Sequence, residues 1–94
     1  MRIKINDQLS VQPVVTRTTI CPAGTAYWHI DYVVDGICIY TVTTGAISGQ
    51  PSPITYLDYD HERWMPCEGE GWVRRTKTHR EWLTDAAKQI EVTP

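Results

Sequence analysis

The sequence predicts a small α+β domain: an antiparallel sheet of about four to six strands packed against one C-terminal helix. Three observations carry this. Residues 26–43 have the pattern of a β-hairpin, and residues 79–91 that of an amphipathic helix. A chain of 94 residues is also too short to divide its apolar side chains between two cores, so 1–94 is read as a single domain. Hydrophobic content of 41% against 21% charged is enough for one packed core and argues against disorder.

The hairpin is the strongest local signal. Tyr27 to Val34 and Ile37 to Thr43 are rich in β-branched and aromatic residues, and they flank Asp35-Gly36, a dipeptide that tolerates the positive φ angles of a two-residue type I′ turn. That turn sets a register with Val34 opposite Ile37, Tyr32 opposite Ile39, Ile30 opposite Thr41 and Trp28 opposite Thr43. Trp28, Ile30, Tyr32, Val34, Ile37 and Ile39 then point inward. The other face pairs Val33 with Cys38, Asp31 with Tyr40 and His29 with Val42. His29, Asp31 and Tyr40 are the residue types of an acid-base constellation. Cys38, the nucleophile on that face, falls about two pairs from His29, so routine cross-strand polar pairs are the expectation.

Around the hairpin, residues 2–5 alternate as a half-buried strand. Residues 11–20 form a β-branched run in which Pro13 demands either a later start or a sheet edge. Cys21-Pro22-Ala23-Gly24 turns the chain into the hairpin, and the Gly-, Ser- and Pro-rich residues 44–53 read as a loop. Residues 54–59 alternate as a further strand, 60–71 read as irregular, and 72–75 as a short last strand. The period then changes. Thr78-His79-Arg80-Glu81 is a capping box, and Trp82, Leu83, Ala86, Ala87 and Ile90 draw one apolar stripe to be buried on the sheet.

Composition bounds function. A net charge of −2 supplies no global field for nucleic acid or anionic membrane. No stretch approaches the apolar length of a membrane span, and Met1 to Asn6 lacks a signal-peptide pattern, so a cytoplasmic protein without membrane contact is expected. Cys21, Cys38 and Cys67 are odd in number and widely spaced, which suits reduced, buried thiols. Phenylalanine is absent, and four Trp and five Tyr supply the aromatics. Their polar tips suit half-buried positions and contact surfaces.

No Gly-rich phosphate loop, zinc spacing, nucleophile elbow or helix-turn-helix pattern is present, so no enzymatic activity, cofactor or metal is expected. The segment between Tyr56 and Trp72 combines acidic residues (Asp58, Asp60, Glu62, Glu68 and Glu70) with exposed-loop aromatics, Trp64 among them. Aromatic, methionine and arginine side chains on an irregular surface are the usual anchors of protein interfaces. The expected function is a non-enzymatic protein-binding module, an inhibitor or adaptor that docks on a larger complex. In size it stands beside the compact inhibitors of phages and other mobile elements, an analogy of scale with no motif behind it.

The alternative is a nucleic-acid-binding domain that uses Arg74, Arg75, Lys77 and Arg80 beside Trp72. Intramolecular neutralisation by the acidic segment competes with it. A third reading, a metal-dependent hydrolase on Asp58, Asp60, His61 and Glu62, ranks lowest, because an extended chain sends His61 away from its acidic neighbours. Unpaired edges at 2–5 or 54–59 would allow a homodimer.

Overall fold

The computed structural model describes residues 1–20, 25–45 and 47–92. The expected turn at Cys21 to Gly24 lies outside the described residues. The fold is α+β. Strands β1 (Ile3–Asn6), β2 (Leu9–Ile20), β3 (Thr25–Val34) and β4 (Ile37–Thr44) form an antiparallel sheet in sequence order. A short helix, α1 (Pro53–Tyr56), leads to a separate hairpin, β5 (Asp60–Cys67) with β6 (Gly71–Thr78), and helix α2 (His79–Val92) ends the described chain. None of the described helices is long and apolar enough to cross a membrane.

The β3–β4 turn is as the sequence predicts, with Asp35 at φ 49° and Gly36 at φ 81°. The register beyond it is not. Val34 pairs with Ile37 and Val33 with Cys38, but Tyr32 pairs with Tyr40, so one residue, Ile39, is extra on β4. This β-bulge reverses the facing of every later position. Tyr40, Val42 and Thr44 turn into the core, while Thr41 and Thr43 face out. Ile30 and Tyr32 are inward as expected, Trp28, Val34 and Ile39 are half-buried, and Ile37, next to the turn, is 59% exposed.

β2 runs through Pro13, which takes the sheet-edge position that the sequence offers as the alternative to a later start. β1 reaches only to Val11, so β2 has no partner on that flank at Pro13, where a residue lacking an N–H is tolerated. Residues 54–59 are not a strand. Ser52 caps a helical turn by accepting the Thr55 N–H at 3.3 Å, and Pro53 occupies its first position. Residues 60–71 are not irregular but supply β5 and its turn, in which Glu70 N–H donates to the Cys67 carbonyl at 3.1 Å and Gly69 takes φ 82°. Cys38 is exposed and Cys67 half-buried, both as free thiols, so neither is the buried hydrophobe expected.

The core lies between the inner face of the four-stranded sheet, Leu57 after α1, and α2. Ile30, Tyr32, Leu57, Leu83 and Val11 are its most buried side chains. α2 contributes Trp82, Leu83 and Ala87 from the expected stripe, whereas Ile90 at its far end is exposed. The capping box is formed: Glu81 N–H donates to Thr78 Oγ1 at 3.2 Å and Thr78 N–H to Glu81 Oε1 at 3.3 Å. His79 and Arg80 N–H groups donate to the carbonyls of Tyr59 and Leu57. The helix start is thereby tied to the turn after α1. Replacing Thr78 by Ala is expected to lower unfolding free energy in urea by about 1 kcal/mol with an unchanged denaturant slope.

Candidate functional site

The β5–β6 hairpin has two chemically distinct faces, set by strand alternation. Its pairs run from Asp60 opposite Thr78 to Cys67 opposite Gly71, with Trp64 opposite Arg74 and Pro66 opposite Trp72. Asp60, Glu62, Trp64 and Pro66 of β5 therefore share the outward face with Trp72, Arg74 and Thr76 of β6, and all are exposed. Trp64 is 64% exposed and Trp72 67%. They are diagonal neighbours across the two strands. Arg74 reaches across the strands to the Glu62 carboxylate. The turn beside Trp72 adds Glu68 and Glu70. Between β5 and α2, and continuous with this face at Trp64 and Pro66, lies a groove of about 250 Å³ floored by Met65 and Trp82.

The inward face carries His61, Arg63, Met65 and Cys67 with Val73, Arg75 and Lys77, and it holds the hairpin to the body. Trp82 is the main attachment. Its indole Nε1–H donates to the His61 carbonyl at 2.8 Å, and the Arg63 guanidinium and Lys77 ammonium lie 5.4 and 5.1 Å from its ring centroid. Arg63 also lies 5.2 Å from the Tyr40 ring centroid. The Tyr40 hydroxyl shares a 2.7 Å hydrogen bond with His79 Nδ1, and the His79 ring stacks on His61 at 4.7 Å.

Burial holds His79 far below the usual imidazole range, at about 4, and the neighbouring His61 and Arg63 push it the same way. Burial and Arg63 also lower His61, and burial raises the Tyr40 phenol. At neutral pH this is an uncharged, hydrogen-bonded joint under a cation. Because the bulge turns Tyr40 inward, the His29, Asp31 and Tyr40 grouping is not assembled. Asp31 instead accepts from Thr41 Oγ1 at 3.0 Å, and His29 Nδ1 meets Thr43 Oγ1 at 3.3 Å, on the outer face of the sheet.

The structure brings Asp60, Glu62, Trp64 and Trp72 to one surface with Glu68 and Glu70 at its end, and it leaves two of the expected partner-binding residues elsewhere. Asp58 sits in the turn before β5 and accepts from Arg80 Nε at 3.3 Å. Tyr56 packs on the core and against Tyr59, with ring centroids 4.7 Å apart. The basic cluster is not one patch. Arg74 faces outward and is held by Glu62, Lys77 faces inward and binds Asp85 at 2.7 Å, Arg80 is paired with Asp58, and Arg75 lies on the inward face.

Asp60 and Glu62 point away from His61, and among the described residues no group of three or more His, Cys, Asp or Glu side chains converges for a metal. Pro66 and Arg74 share this outward face, and the sequence reading does not include them among its candidate partner-binding residues. The signal was available in the outward spacing Glu62, Trp64, Pro66 and Trp72, Arg74, Thr76 across a Cys-Glu-Gly-Glu-Gly turn.

Taken together, the fold and the site define a small α+β protein with a tethered, aromatic-faced hairpin. Comparison with protein-family models, curated proteins and solved structures found no match to this chain.

The joint around His79 has a pH signature. The unfolded chain accepts a proton on this imidazole near 6.5, and the native state resists it until about 4. Stability is therefore fully present above the upper value and falls as pH drops through that window. Urea unfolding between pH 7.5 and 4 is expected to show this loss, with a shallower slope in His79→Gln. At pH 7, Tyr40→Phe leaves Nδ1 of a buried ring without its partner, an expected cost of about 1–3 kcal/mol.

Proposed function

We propose that this protein is a non-catalytic protein-binding module, an inhibitor or adaptor acting in the cytosol, which docks on a larger protein through the outward face of the β5–β6 hairpin. The observation that carries this reading is the pair of exposed tryptophans, Trp64 and Trp72, side by side on one short sheet. A solvent-exposed indole is costly in solubility and contributes nothing to the core, and Trp is the residue type most enriched at binding hot spots.

The support beneath the face strengthens the reading. Trp82, Arg63 and Lys77 hold the hairpin from behind, so the two indoles are presented by a fixed backbone. Preorganisation of this kind reduces the ordering cost of association. The nucleic-acid alternative has weaker support, because Arg74, Lys77 and Arg80 are each engaged by a carboxylate of the chain and lie on different faces.

The test is quantitative capture of the bound partner by the native protein and by the double variant Trp64→Ala, Trp72→Ala. Partner affinity is expected to fall at least about tenfold, the loss that truncating an interface anchor brings. Urea stability should change by no more than about 0.5 kcal/mol, because both side chains are exposed. Undiminished capture by the double variant would sink the proposal.

A further inference from the structure

The tryptophans of this chain fall into two groups by what covers their rings. Trp28 has the Arg17 guanidinium 6.0 Å from its centroid, and Trp82 has Arg63 and Lys77 at 5.4 and 5.1 Å. Cations on aromatic faces are a recurrent packing device of this molecule. Trp64 and Trp72 are different. Among the described residues no cation or second ring lies over either one, and neither indole N–H finds an acceptor. Arg74, directly opposite Trp64, is the one basic residue on their face, and it is drawn off to Glu62.

The charge around the two bare rings is acidic. Asp60 stands at one end of the outward face and Glu68 in the turn at the other. Neither carboxylate has a hydrogen-bond or ion-pair partner among the described residues. From Asp60 to Glu68 along the strand is about 26 Å, the reach of about eight residues of extended chain. Aromatic faces with unpaired carboxylates at either end complement a segment that bears several cations on apolar stems, some lying across the indoles and others ending on the oxygens.

We infer that the partner presents a cationic extended segment of about eight residues, whose arginine or lysine side chains lie across Trp64 and Trp72 and whose ends meet Asp60 and Glu68. This rests on the protein-binding reading and names the partner chemistry for it. Arginine suits the site better than lysine, since its planar guanidinium both stacks on an indole, as at Trp64 and Trp72, and donates in pairs to a carboxylate, as at Asp60 and Glu68.

The probes are three synthetic octapeptides that alternate serine with arginine, lysine or glutamine, added to the full chain labelled with nitrogen-15. The arginine peptide is expected to shift the indole N–H resonances of Trp64 and Trp72 but not that of Trp82. It should bind at least tenfold more tightly than the glutamine peptide and weaken as salt rises. The Trp64→Ala, Trp72→Ala variant should lose at least tenfold in affinity, and Asp60→Asn, Glu68→Gln severalfold.

Three results would each overturn the inference: no indole shift at millimolar arginine peptide, equal binding of the glutamine peptide, or undiminished binding to the tryptophan double variant. Competition separates this inference from the reading beneath it. If partner capture depends on Trp64 and Trp72 but the arginine peptide neither binds nor competes, the cationic segment is wrong and the docking face stands. If capture ignores both tryptophans, the docking face itself is wrong.

Discussion

A chain without phenylalanine brings a polar atom into its core with every large ring it buries, and each such atom has to be paired or cost the full loss of its water. Among the described residues the large aromatic rings of Tyr32, Tyr40 and Trp82 are buried. The Tyr32 hydroxyl donates to the Pro53 carbonyl at 2.7 Å, the Tyr40 hydroxyl is shared with His79, and the Trp82 indole donates to the His61 carbonyl. No buried side-chain nitrogen or oxygen among the described residues is left without a partner. Each bond reaches a different element. Tyr32 anchors the start of α1, Tyr40 the start of α2, and Trp82 the hairpin, so the requirement to satisfy ring tips also fixes how the layers are joined.

The Trp82 bond matters most for what the molecule displays. A two-stranded hairpin is marginal alone in water, and the inward face of β5–β6 offers little apolar surface beyond Met65 and Val73. Its inward face is instead rich in cations, and Arg63 and Lys77 pack their stems and charges against Trp82. Arg63 also spans to Tyr40, and the uncharged state of His61 and His79 keeps that cation free of like-charge repulsion. With one face of the hairpin committed to the body in this way, alternation leaves Trp64 and Trp72 in water on the other.

Legibility in the sequence follows how local each determinant is. The Asp35-Gly36 turn and the Thr78 to Glu81 capping box are each complete within four residues, and both formed as read. The bulge at Ile39 is set by tertiary packing. Tyr40 and Val42 fit the core and find His79, and nothing within the 37–43 run announces that one residue will be extra. Ser52-Pro53 is a helix-start signal that the alternation of Ile54, Tyr56 and Asp58 obscured. β5 escaped because its inward positions, His61 and Arg63, are polar, and a period-two search for apolar residues passes over them. The acidic and aromatic residues of the candidate surface were legible by type. Their division into outward Glu62 and Trp64, and elsewhere Tyr56 and Asp58, required the hairpin register.

The central claim is that Trp82, by its indole N–H and its ring, holds the β5–β6 hairpin in place as a platform. Native-state amide hydrogen exchange in Trp82→Phe tests it most directly, because phenylalanine keeps an aromatic body and removes the donor to His61. Exchange is expected to quicken selectively at residues 61–66 and 72–77, with the protected amides of β3 and β4 little changed. Uniform acceleration across both sheets, or an unchanged hairpin with a loosened four-stranded sheet, would contradict it.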